Sequence, residues 1–224
     1  MRARENPFRM DRLEQVRYRP QGTTWGAILA RLEALRWRAA VVGPEGSGKT
    51  TFLEDLAGIL RGQGFEVRYL RCHGAGGRPR AQPDPVRARL PERANGLLSG
   101  ADLQVCATNR TRAGGPRHEA RTDLIVLLDD ADALGLLGWW RARWAARGAR
   151  GLVIATHGEG RLPTLLRTTT SADLLADVVR TVAPAEAAHL EPRLATLHAR
   201  HGGNLRAALR EIYDWYSEAA GCRL

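Results

Sequence analysis

The stretch GPEGSGKT, Gly43 to Thr50, holds Lys49, the one lysine among the 34 lysines and arginines of this 224-residue chain. A protein that uses arginine everywhere else keeps a single ammonium inside a glycine-rich stretch. The spacing is G-x-x-x-x-G-K-[ST], and its flanks supply the context that pattern requires. RAAVVG, Arg38 to Gly43, reads as a short buried strand running into the turn, and the pattern from Lys49 to Arg61 as a helix stopped by Gly62 and Gly64. Glycines there let successive backbone N–H groups converge on an anion, and the helix N-terminus adds partial positive charge. Gly43, Pro44, Glu45, Gly46, Ser47, Gly48, Lys49, Thr50 and Thr51 are therefore expected to cradle phosphate groups. A compact ammonium fits inside such a loop, where a planar guanidinium fork is not isosteric. Lys49 is expected to reach the β- and γ-phosphates, and the Thr50 hydroxyl to ligate Mg2+.

Outward from this stretch, strands and helices alternate. TWGAILARLEAL (24–35) has helical apolar spacing and FEVRYLRC (65–72) alternates as a strand. LIVLLDDAD (124–132) is an apolar strand ending in acids, LGWWRARWAAR (137–147) a helix, and GLVIATH (151–157) another buried strand. A loop around GEGRLP leads to three helical patterns at 172–182, 186–201 and 205–219. The alternation implies an α/β fold, a parallel sheet in a three-layer αβα core, with the helical tail as a small lid. The expected organisation is a linker over 1–23, a core over 24–170 and a lid over 171–224. Within the core, 73–122 is rich in Gly, Pro and Arg and reads as a long loop or disordered insertion.

The acids complete the chemistry. Asp129 ends an apolar strand, so its carboxylate falls at the C-terminal edge of the sheet, where ligands of open α/β sheets lie. It is expected to hold magnesium, mostly through water. Asp130, turned to the other side, is placed to orient or deprotonate an attacking water. Asp132 reads more simply as a helix cap.

Phosphate loop, intervening strand, apolar strand with DDAD and a strand ending in Thr156 together resemble the additional-strand P-loop ATPases, and within them the AAA+ group. The resemblance spans roughly residues 24–219. It implies ATP and Mg2+ as cofactors and hydrolysis coupled to conformational change or assembly. That group commonly has Asp-Glu where this chain has Asp129-Asp130, a variant of some initiator-type and signalling members; the shorter acid puts the rate in question. Thr156 matches the group's polar sensor. HGGNLRAALREIYDWY (201–216) resembles its lid helix, which gives Arg206 the γ-phosphate contact. Tyr18 and Arg19, ahead of the first helix, fall where the group's linker nears the adenine. Its sites often lie between subunits, which implies a homo-oligomer and an arginine from a neighbour; Arg147, Arg150, Arg161 and Arg167 are the candidates.

Composition bounds the alternatives. The formal charge is +10 and the pI about 10.8, with nine arginines against four acids in 78–122. That permits DNA or another acidic partner, although genome base composition, with arginine codons displacing lysine, accounts for most of the total charge. The alternative function is an ATP-dependent switch or adaptor that binds DNA or protein with little turnover. A small-molecule kinase fits the DDAD strand and the helical tail poorly, and no N/TKxD stretch supports a GTPase. Cys72, Cys106 and Cys222 lack CxxC spacing, so neither disulfides nor zinc are expected. The start lacks a signal-peptide run and no segment nears the ~18 apolar residues of a span, so a cytoplasmic protein without a membrane segment is expected. Trp139, Trp140 and Trp144 read as packing residues rather than a base-stacking platform, and His157 needs no catalytic role.

Overall fold

The computed structural model describes residues 6–72, 80–81 and 121–221. The elements in order are α1 (Met10–Leu13), α2 (Trp25–Ala34), β1 (Arg38–Val42), α3 (Lys49–Gly62), β2 (Glu66–Arg71), β3 (Arg80–Ala81) and β4 (Arg121–Asp129). A 3-10 turn (Ala131–Ala133), α4 (Leu136–Ala145), β5 (Ala149–Thr156), β6 (Thr164–Arg167), α5 (Ala172–Val182), α6 (Pro184–Arg200) and α7 (Leu205–Gly221) follow.

The sheet has the order β3-β2-β4-β5-β1-β6. Five strands run parallel with flanking helices, and the two-residue β3 adds antiparallel to β2. Burial explains the parallel arrangement. Leu124 to Leu128 are all buried, and β5 is buried at every position except Arg150, so neither face of these strands meets water. β5 lies between β1 and β4, pairing Val42 with Thr156 on one side and Leu128 with Ile154 on the other. That register brings the ends of all three strands to one edge of the sheet.

Beyond the short α1 and β3, which fall in the stretches read as linker and insertion, two elements depart from the sequence reading. Thr164–Arg167, inside the expected loop after GEGRLP, is β6; four residues carry no period, and edge pairing beside β1, with Ala40 N–H donating to Pro163 O at 2.8 Å, makes them a strand. β4 starts at Arg121, three residues before its apolar run. Otherwise the 73–122 insertion lies outside the described residues, save for β3 and Arg121–Thr122.

Contacts divide the chain into two compact units. One gathers Met1–Arg19, Gly43–Thr51 and Arg167–Leu224. Its core is the inner faces of α5, α6 and α7, including Leu175, Val179, Leu190, Leu194, Leu205 and Ile212. Ser171 caps α5 by accepting the Leu174 N–H, and Pro184 opens α6 where a missing N–H costs nothing. Residues read as linker join this core. Phe8 is 1% exposed with its ring 5.4 Å from that of Tyr216, and Asn6 Nδ2 donates to Tyr213 O at 2.9 Å. The other unit, Pro20–Val42 and Phe52–Leu166, is the sheet with its helices. There Thr24 caps α2 by accepting the Ala27 N–H, and Trp25 stacks on Phe52 with centroids 5.1 Å apart.

Candidate functional site

The glycine-rich loop folds around its lysine. Lys49, the first residue of α3, is 7% exposed, and its Nζ donates to Gly43 O at 2.7 Å and Pro44 O at 2.8 Å. A short-armed ammonium with three donors satisfies converging carbonyls in a space that a guanidinium fork would overfill. Ser47 Oγ donates to Pro44 O at 2.7 Å and is 2.6 Å from Thr168 Oγ1. With the serine proton so used, Thr168 is the donor in that pair. Thr50 and Thr51 are half-buried in the first turn of α3, and Pro44 and Glu45 are exposed.

Two glycines are required for packing as well as for any anion. A Cβ on Gly43 would lie 2.0 Å from Thr168 Oγ1 and 2.6 Å from Thr168 O. Gly46 has φ +72°, and a Cβ there would lie 2.1 Å from Asn204 Oδ1, the atom that caps α7 by accepting the Ala207 N–H at 3.0 Å. Gly46→Ala is thus expected to cost at least about 1–2 kcal/mol from left-handed strain alone. Asn204→Gly in the same chain should recover the steric part, read as a double-mutant cycle of denaturant midpoints. An unchanged midpoint in Gly46→Ala would show that this packing is absent. Against Gly48 lies the Tyr18 ring, 3.6 Å from where a Cβ would sit, and burial pushes the Tyr18 hydroxyl up to about 12. Arg19 and Arg206 are exposed, the latter in the first turn of α7.

The acidic strand end belongs to the sheet unit. Asp129 is buried, and its Oδ2 accepts from Tyr69 Oη at 3.1 Å, Arg71 Nε at 3.1 Å and Arg71 Nη2 at 3.0 Å. Its Oδ1 accepts the Asp130 N–H at 3.0 Å. The parallel register sets Arg71 beside Asp129, and Tyr69, two residues earlier, faces the same side. Arg71 is held charged more firmly than usual: its burial works against the charge and is outweighed by Asp129 and Tyr69. Tyr69 is pushed far up by burial first, then by Asp129. Asp130 is exposed in a left-handed conformation, φ 55° and ψ 44°.

Asp132 is not a helix cap. It closes the end of β5, accepting from Thr156 Oγ1 at 2.7 Å and from the His157 N–H at 2.5 Å, with His157 Nδ1 at 2.9 Å. Partial burial of Asp132 is outweighed by these donors, so its pKa lies below the usual carboxylate range. The Thr156 hydroxyl therefore already has a partner. Among the arginine candidates, Arg161 donates to Ala131 O and Leu134 O and lies over the Trp139 ring, and Arg150 lies over Trp37 and Phe65. Arg147 and Arg167 are exposed. Burial, then Asp130 and Asp129, push the Cys72 thiol up to about 11, which leaves it a poor nucleophile. Cys106 and Cys222 lie outside the described residues.

Trp140 and Trp144 are not packing residues; they are 60% and 68% exposed, whereas Trp139 is buried. The residues that sequence reasoning missed, Tyr69, Arg71 and Thr168, share no motif. The first pair is set by the register of β2 on β4, which no local pattern announces.

No family model and no curated protein sequence matches this chain. Among the described residues, no group of three or more His, Cys, Asp or Glu side chains is arranged to hold a metal. No helix among them is long and apolar enough to cross a membrane.

Proposed function

We propose that the chain is a P-loop ATPase of the AAA+ type, binding ATP with Mg2+ at residues 43–51 and hydrolysing it slowly. The observation that carries the reading is the buried Lys49 ammonium at the head of α3, ringed by the carbonyls of a G-x-x-x-x-G-K-T loop that directly follows a parallel strand. The sheet supports it: β5 stands between the strand that feeds the loop and the strand that ends in Asp129, and all three finish at one edge, where ligands of open α/β sheets lie. Asp129 and Thr50 offer the hard oxygen donors that magnesium prefers, and Oδ2 of Asp129 is already taken by three donors, so its share would come mostly through water. The metal would neutralise charge on the β- and γ-phosphates. Lys49 would bind the same oxygens, Asp130 would orient and receive a proton from the attacking water, and Thr156 and Arg206 would report on the γ-phosphate. For Thr156 this requires sharing or releasing its bond to Asp132.

Steady-state ATP hydrolysis with magnesium, across protein concentration and with and without duplex DNA, tests the reading. Turnover per subunit rising with concentration is expected if an oligomer completes the site. Asp130→Asn should keep ATP affinity within about twofold while lowering turnover by about 100-fold, in the range of general-base removal. Normal turnover in that variant would assign the water to another group. The second reading is a switch or adaptor, bound to ATP, with little hydrolysis and acting on DNA or a protein. It is favoured by the Arg71 guanidinium on Asp129, which competes with a cation for that carboxylate. ATP binding without turnover under every condition would select it.

A further inference from the structure

Helix α4 carries large apolar residues on two faces, and among the described residues only one of them is packed against a partner. Trp139 packs inward with Ala142 beside it. On the solvent side Leu136 is 80% exposed, Leu137 78%, Trp140 60% and Trp144 68%. At helical spacing these four side chains fall within an arc of about 100°, with Arg143 on one flank and Arg141 on the other. Both arginines are exposed. A contiguous exposed apolar patch of this kind marks an interaction surface.

We propose that this face of α4 docks an acidic, amphipathic segment of a partner protein. Charge selects the partner. From Ala133 to Gly158 the chain has four arginines and no acidic residue, so the segment that carries this face is uniformly basic. A second copy docked face to face would set Arg141 and Arg143 against their own duplicates, on a chain already at +10. The residue types favour protein over nucleic acid. Tryptophan and arginine dominate protein–protein hot spots, whereas the two leucines, the most exposed of the four, stack on no base. The inference is independent of the ATPase reading, because it uses no residue of the phosphate loop or the acidic edge.

The test pans a displayed library of random peptides about four helical turns long against the full chain, with counter-selection on Trp140→Ala/Trp144→Ala. The expected winners are net acidic with apolar residues at helical spacing. As synthetic peptides they should bind at least about tenfold more weakly to the tryptophan variant. A comparable loss should follow in Arg141→Glu/Arg143→Glu, whose exposed positions leave the fold intact by circular dichroism. Winners that are neutral or basic, or that bind both variants as well as the parent, would overturn the proposal. So would tryptophan fluorescence that shifts with an oligothymidylate strand or phosphatidylserine vesicles when no peptide is enriched, which would assign the face to nucleic acid or membrane. A concentration-dependent dimer lost in Trp140→Ala/Trp144→Ala would assign it to a second copy.

Discussion

Lys49→Ala is expected to weaken ATP binding by on the order of 100-fold or more, about 3 kcal/mol, as measured by titration calorimetry. Truncating one partner of a buried, hydrogen-bonded charge pair costs about 2–5 kcal/mol, and each 1.4 kcal/mol is tenfold in affinity. The substitution also removes the donor that Gly43 O and Pro44 O share, leaving the Ser47 Oγ bond to Pro44 O as an internal tie of the loop. Lys49→Arg is a stricter probe. It keeps the charge, yet a guanidinium does not fit where the ammonium is 7% exposed between two carbonyls, and it should lose most of the affinity as well. A thermal midpoint measured without nucleotide separates the two causes: a folded variant that no longer binds ATP indicts the phosphate contact. ATP affinity unchanged in both variants would mean that GPEGSGKT is not a phosphate site.

Arg71→Ala is expected to destabilise the folded chain by about 3 kcal/mol, the lower end of the cost of stranding a buried charge. Asp129 is 2% exposed on its side chain and depends on Arg71 for two of its donors, while Arg71 itself is 25% exposed and keeps some access to water. Tyr69→Phe removes only one neutral donor from the same oxygen and should cost about 1 kcal/mol. The pairing makes a further expectation: Arg71→Ala/Asp129→Ala should be less destabilised than the sum of its single variants, because the second substitution removes the charge that the first left unpaired. Urea midpoints check all four chains. Additive losses would show that the guanidinium and the carboxylate are neighbours without being coupled.

The alternation of apolar strands with helical periods was readable along the chain, and so was the loop. Gly43, Gly46, Gly48 and Lys49 are neighbours in sequence, so their geometry is local. The buried run Leu124 to Leu128 announced a central parallel strand because both its faces had to be covered. What could not be read is of two kinds. β6 is too short to show a period, and its strand character comes wholly from lying beside β1. Trp140 and Trp144 looked like core because hydrophobic spacing reports that a face is apolar, not which side of the helix meets the sheet.

For the candidate site, the chain by itself determined the chemistry: one ammonium in a glycine loop and two acids at a strand end, since these follow from residue type and local spacing. The tertiary structure decided who holds them. Arg71 and Tyr69 sit on Asp129 because two strands distant in sequence pair in a particular register. Asp132 serves Thr156 rather than a helix, and Thr168 and Asn204 close on Gly43 and Gly46. Contacts of a few ångströms between residues up to about 160 positions apart are set by strand order and packing, and no local pattern in the sequence encodes them.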